Sequence, residues 1–246
     1  MATSIKNVFI DVGSHRGEAI EEALRPVYDL HRFITVEPST SGYKKISEFR
    51  DSRLENYNYA VSNKNTKLKL YSAGSVGGGL YSDKLRHWQK TETVNVLKFS
   101  NFILKNTNST EKLFIKINVE GSEYRLLKEL LLVKNRNIVS ILLSIDIEKV
   151  PSLHKFRRQF KSMIEEFPYP ITVREEKNVG KAIKIWLTTL HLRKHNNVKY
   201  LVKDIFRLYL PFDRNIIRII KPIFPSKLWI KLALKYGPNR KINKNL

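Results

Sequence analysis

The sequence predicts an α/β fold, a doubly wound and mostly parallel sheet, on three observations. Apolar, β-rich runs recur at residues 5–12, 113–119 and 138–147, the pattern of parallel strands buried on both faces. The first run stops at Gly13 and leads through Gly17 into an amphipathic segment, which makes a strand, glycine turn and helix. Strand-like and helix-like segments then alternate for about 150 residues instead of clustering apart.

Each element has its own signal. Residues 5–12 (IKNVFIDV) form the first strand, and residues 18–24 place Ile20, Ala23 and Leu24 on one helical face until Pro26 limits the helix. Residues 32–36 (RFITV) are the second strand, stopped at Glu37-Pro38, and residues 43–49 the second helix. Residues 57–61 (YNYAV) read as a third strand, and residues 67–71 (KLKLY) alternate as a half-exposed strand does. The Gly/Ser-rich stretch 72–80 (SAGSVGGGL) reads as a loop free to close over something. A short strand (94–97), a short helix (100–105), the strand 113–119, a helix (124–132) and the strand 138–147 follow. Residues 171–173 and 183–187 are expected to close the sheet as a terminal antiparallel strand pair.

Composition bounds the rest. The 246 residues carry 45 Lys and Arg against 23 Asp and Glu, a net charge of +22, with six His and no Cys. The absent cysteines exclude a disulfide scaffold, a thiolate metal site and a cysteine nucleophile. No stretch approaches the roughly 18 apolar residues of a membrane span, and the first residues do not read as a signal peptide. The expectation is a cytoplasmic protein. From His191 to Leu246 fourteen Lys and Arg stand against Asp204 and Asp213, so about half of the excess charge sits on the last quarter of the chain. We therefore expect a main domain of residues 1–190 and a basic, amphipathic helical C-terminal extension of residues 191–246.

The strongest chemical signal is Asp11-Val-Gly13-Ser14-His15-Arg-Gly17, followed by Glu37-Pro38 at the tip of the second strand. Glycines admit a ligand close to the backbone, and an acid at the second strand tip can accept both hydroxyls of a ribose. The spacing is not the GxGxxG of dinucleotide sites, and the acid at Asp11 would repel a pyrophosphate but welcome an ammonium group. S-adenosylmethionine carries that ammonium group. The competing reading is that Gly13 and Gly17 only shape a turn. A second signal, Lys116-Ile-Asn118-Val-Glu120-Gly121-Ser-Glu123, ends a buried strand where parallel sheets place their ligands. Glu120 and Glu123 would equally suit a helix N-terminus. No spacing of His, Asp and Glu reads as a metal site.

The blocks VFIDVGSHRG, TVEP, NYAVSN, VNVLKFSNFI, LFIKINVEGSEYRLLKEL and ILLSIDIE resemble, in kind and in order, the FkbM family of S-adenosylmethionine-dependent methyltransferases. The resemblance covers about residues 5–150. It implies a class I Rossmann-like methyltransferase fold and O-methylation of a hydroxyl, commonly on a saccharide or glycoconjugate. By position it implies that Asp11, Gly13, Ser14, Gly17, Glu37, Pro38, Ala60, Val61 and Asn118 bind the cofactor. Glu120 is the expected base or hydroxyl-orienting group, with Asp146 and His15 in reserve, and Gly78, Gly79 and Glu123 face the acceptor. Asn118 stands where the family usually has Asp, His15 where it has Asn, and Glu148 where a His is common.

The basic extension suits peripheral contact with an anionic membrane surface, which a glycolipid acceptor would make useful, or helices packed on the core with a solvated rim. His87 and Trp88 are candidate acceptor contacts, or ordinary packing. A nucleic-acid-directed methyltransferase or binder is the rival function, favoured by the charge and opposed by the absence of a legible RNA-binding module. A non-catalytic S-adenosylmethionine-binding module is the other.

Overall fold

The computed structural model describes residues 5–75, 77–84 and 90–195. Its strands are β1 (Asn7–Val12), β2 (Arg32–Val36), β3 (Leu54–Tyr57), β4 (Ala60–Ser62), β5 (Thr66–Tyr71), β6 (Thr91–Lys98), β7 (Lys112–Ile117), β8 (Asn137–Leu143) and β9 (Ile171–Val173). Its helices are α1 (Glu18–Ala23), α2 (Thr40–Ile46), α3 (Phe99–Asn106), α4 (Glu123–Leu130), α5 (Arg157–Glu165) and α6 (Val179–His195).

The two-residue period of a strand accounts for the layers. Val8, Ile10 and Val12 of β1 join Ile34 and Val36 of β2, Leu113, Ile115 and Ile117 of β7, and Ile141 and Leu143 of β8 in one core, covered by Phe102 and Ile103 of α3 and Leu126, Leu127 and Leu130 of α4. Phe9, on the alternate positions of β1, packs its ring 6.4 Å from those of Phe33 and Trp186. Ile20 of α1 and Ile183 of α6 are also buried. The main sheet has the order β3-β2-β1-β7-β8-β9 with every pairing parallel, and is covered by helices as a doubly wound sheet must be. A smaller mixed sheet has the order β4-β6-β5.

Three expectations are corrected. The terminal antiparallel pair does not form: β9 runs parallel to β8, with Ile141 opposite Ile171, and residues 183–187 are helical. Ala182, Ile183, Trp186 and Leu187 are buried while Ile185 is exposed, a helical spacing that outweighs the β-rich composition. Asn178 starts this helix by accepting the Lys181 N–H through Oδ1 at 2.9 Å, and Trp186 Nε1 donates to Ser140 Oγ at 3.1 Å.

The expected strand 57–61 is broken between β3 and β4, which belong to different sheets. Asn58 holds the break, its Nδ2 donating to the carbonyls of Glu37 and Pro38 at 3.0 and 3.1 Å. The glycine-rich stretch is not a free flap over its described residues. Tyr71 and Gly79 exchange two backbone hydrogen bonds at 2.9 and 3.0 Å, and Ser75 Oγ donates to Ser72 O at 2.7 Å. The loop is a pinned turn.

Contacts divide the chain into Met1–Leu187 and Thr188–Leu246. The expected extension 191–246 lies, beyond the end of α6, outside the described residues, as do His87 and Trp88. Among the described residues no helix is long and apolar enough to cross a membrane.

Candidate active site

The order of the main sheet reverses between β1 and β7, and the carboxyl ends of strands at such a switch point open onto a crevice. A cavity of about 460 Å³ lies there, within the usual range for small-molecule sites. Its wall includes Gly13, Ser14, His15, Glu37, Pro38, Ala60, Val61, Gly78, Gly79, Asn118 and Glu120. Asp11, Gly17, Glu123 and Asp146 stand off that wall.

The β1–α1 turn is held from both sides. The Gly13 and Ser14 N–H groups donate to Val36 O at 2.9 and 3.3 Å, and Asn118 N donates to Val12 O at 3.0 Å. Gly13 has φ 77°, and a Cβ there would lie 2.0 Å from the carbonyl oxygen of Asn118. Only glycine satisfies both constraints. Gly17, at φ 92°, meets Phe49 in the same way at 2.7 Å, so it shapes the turn from behind.

Glu37, at the end of β2, ties the turn to the second strand. Its Oε2 accepts the His15 N–H at 2.7 Å, and its Oε1 accepts the Ser39 N–H at 2.9 Å and hydroxyl at 2.6 Å. Burial pushes its carboxyl above the usual range, against the pull of these hydrogen bonds. His15 has φ 52°, its Nδ1 lies 2.9 Å from Glu18 Oε1, and its buried Nε2 has no hydrogen-bond partner among the described residues. Burial raises the Glu18 carboxyl, but the hydrogen bond to His15 and the other polar contacts outweigh it and lower the carboxyl to about 2.

Asp11 is not on the cavity wall. It sits directly opposite Lys116 in the β1–β7 ladder, and the two side chains, 0% and 4% exposed, form an ion pair with Nζ 2.8 Å from Oδ1. Lys116 Nζ also donates to Gly13 O at 2.7 Å and is itself on the cavity wall. A lysine inside the apolar run LFIKINV is the sequence signal that could have pointed to this pair, since a buried ammonium group requires a partner.

Past β7 the chain makes a strained turn, with Glu120 at φ 56° and Gly121 at φ 117°. A non-glycine residue there costs about 1–2 kcal/mol. Glu120 Oε2 lies 2.6 Å from Lys84 Nζ and 3.5 Å from Lys149 Nζ. Burial raises its carboxyl, but the two ammonium groups prevail and hold it below the usual carboxylate range. Lys149 also pairs with Asp146 at 2.6 Å, and Asp146 is not on the wall. Lys84 and Lys149 carried no signal in the sequence, because only the fold brings them to Glu120.

Glu123, wholly buried at the first position of α4, accepts the Gly121 N–H with both oxygens at 3.0 Å. It acts as an anchor for the helix start. Burial first and the nearby charge of Asp146 second push its carboxyl up to about 8. Folding therefore takes up a proton between pH 4.5, the ordinary value, and about 8. The contribution of this carboxyl to stability is whole below that window and falls as pH rises through it, by about 1.4 kcal/mol per pH unit. Glu123→Gln keeps the uncharged shape and is expected to flatten the slope of urea-denaturation stability between about pH 5 and 8.5. Equal slopes in both proteins would refute this.

Among the described residues no group of three or more His, Asp and Glu could hold a metal ion. Residues 11–171 match the sequence model of the methyltransferase FkbM domain. Among solved structures the chain is similar to the crystal structure of a methyltransferase FkbM from Methylobacillus flagellatus, at 14% identity and a TM-score of 0.36, over 76% of this chain. It spans 37% of that protein's length. No curated protein matches it.

Proposed function

The chain belongs to the FkbM methyltransferase family, and from that premise we propose that it transfers the methyl group of S-adenosylmethionine to a hydroxyl oxygen of a saccharide or glycoconjugate. The observation that carries this reading is the cavity at the switch point, where a backbone cradle at Gly13 adjoins polar atoms that lack a partner among the described residues. A side chain at Gly13 is excluded, and Asn118 Oδ1 and His15 Nε2 are buried without hydrogen bonds among the described residues. These groups fit a polar, partly cationic nucleoside, since unpaired buried groups are costly until a ligand meets them.

Glu37 would accept the ribose hydroxyls, and Ala60 and Val61, both buried, would flank the base. Asn118 would meet the amino-acid end of the cofactor, with Asp11 contributing through Lys116. When bound, the cofactor supplies an electrophilic methyl group on a sulfonium centre. The protein must then align the acceptor oxygen, exclude water and receive the hydroxyl proton. Glu120 is suited to the last task as an ionised carboxylate: it orients the hydroxyl by accepting its hydrogen bond, and takes the proton as the oxygen forms its new bond to carbon. Its low affinity for protons makes it an orienting acceptor rather than a strong base.

Calorimetric titration with S-adenosylmethionine and its demethylated product tests the cofactor half. Glu37→Ala is expected to weaken binding by about 1–3 kcal/mol, because it removes a buried acceptor and frees the His15 and Ser39 N–H groups. A labelled methyl donor offered free glycans, glycolipids in anionic vesicles, and RNA tests the acceptor. Transfer to glycans or glycolipids supports the reading, salt-sensitive transfer to RNA overturns it, and saturable binding with no transfer points to a binding module. Contact with an anionic surface through residues 191–246 belongs to the same proposal, and the vesicle arm reads it.

A further inference from the structure

We propose that Lys84 is a positioning residue for the acceptor half of the cavity: it fastens the glycine turn to Glu120 and engages Oε2 of that carboxylate so that Oε1 is left for the acceptor. The proposal rests on the reading of Glu120 as the group that meets the acceptor hydroxyl.

Lysine is seldom buried unless paired, yet the Lys84 side chain is only 4% exposed. Its ammonium group joins two segments distant in sequence. Nζ donates to the carbonyl of Gly77, in the turn between β5 and β6, and to Glu120 Oε2, in the turn after β7, the latter at 2.6 Å. The two turns touch, since a Cβ at Gly79 would lie 3.0 Å from Glu120 O. A Cβ at Gly77 would stand 3.5 Å from the ammonium, an ordinary contact, and glycine is favoured there by the backbone at φ 94°.

Lys149 is the weaker tie to Glu120. Its side chain is 51% exposed, its Nζ is 3.5 Å from Oε2, and it is already paired with Asp146 at 2.6 Å. Among the described residues, no hydrogen bond reaches Oε1 of Glu120. One oxygen of the carboxylate is thus spent on cations and the other remains for a ligand. A largely buried carboxylate without its nearest cation favours the protonated form, and it then donates where it should accept. Loss of Lys84 should therefore damage the chemistry of Glu120 as well as the order of the loop.

The test uses the full chain with glutamate labelled at the side-chain carboxyl carbon. The Glu120 signal is assigned by its loss in Glu120→Gln and followed against pH by carbon NMR. Lys84→Met is expected to raise the Glu120 titration midpoint by about one pH unit or more, and Lys84→Arg to bring it most of the way back. Amide exchange at residues 77–79 should quicken about tenfold in Lys84→Met, while affinity for S-adenosylmethionine stays within about threefold. With an acceptor from the labelled-methyl panel, kcat should fall at least about tenfold and the acid limb of its pH profile should move upward. An unchanged midpoint in a Lys84→Met protein that still binds S-adenosylmethionine overturns the proposal. Where Lys84→Met does not fold, Lys84→Gln is titrated instead and the same unchanged midpoint overturns it. An empty acceptor panel with the midpoint shift present supports the coupling of Lys84 to Glu120 and counts against the hydroxyl-methylation reading, so the two failures are distinct.

Discussion

Gly13→Ala is expected to abolish measurable cofactor binding and to lower stability by about 3 kcal/mol or more. The added methyl would meet Asn118 O at 2.0 Å, and the partner is backbone at the end of a central strand, so it cannot swing aside. At φ 77° the alanine also carries the left-handed penalty of about 1–2 kcal/mol. Relief requires the turn to move away from β7, which breaks the bond from Asn118 N to Val12 O or those from Gly13 and Ser14 to Val36 O. Either movement displaces His15, whose N–H is held by Glu37, and so disturbs the wall on both strand tips. Urea denaturation and calorimetric titration measure the two effects. An alanine variant within about 1 kcal/mol of the parent that binds with unchanged affinity would show that the turn is not the cradle.

The parts of the fold that were legible in the sequence are those decided locally. The β1–turn–α1 unit shows because a fully buried parallel strand is apolar at every position and because glycine marks the left-handed turn. Glu37 is legible for the same reason, as an acid placed where an apolar run stops. The misreadings arise where tertiary context decides. Residues 183–187 are rich in strand formers, but one helical stripe of Ala182, Ile183, Trp186 and Leu187 buries better against Phe9 and Ser140 than a strand edge would. The run 57–61 is apolar enough for one strand, and the side chain of Asn58 breaks it by bonding to carbonyls 20 and 21 residues away. The cations of the site were illegible for a related reason. Lys84 is 36 residues from Glu120, and nothing near either residue announces the pairing.

Lys116→Ala is expected to cost about 3–5 kcal/mol, because it leaves the Asp11 carboxylate buried without its counter-ion. Both side chains project from paired central strands and are 4% and 0% exposed, so the carboxylate left behind is poorly solvated. The size of the loss measures the isolated charge and not the net worth of the pair, and a second variant separates the two. Asp11→Asn combined with Lys116→Met removes both charges while keeping most of the volume, and should recover much of the stability lost in Lys116→Ala. Cofactor affinity should not recover with it. Lys116 Nζ also holds Gly13 O at 2.7 Å, and methionine cannot restore that bond to the cradle. A stable double variant that binds S-adenosylmethionine weakly would separate the pair's structural role from its role at the site. If the double variant instead regains both stability and affinity, the pair is a packing device and the cavity owes its shape to Gly13 and Glu37 alone.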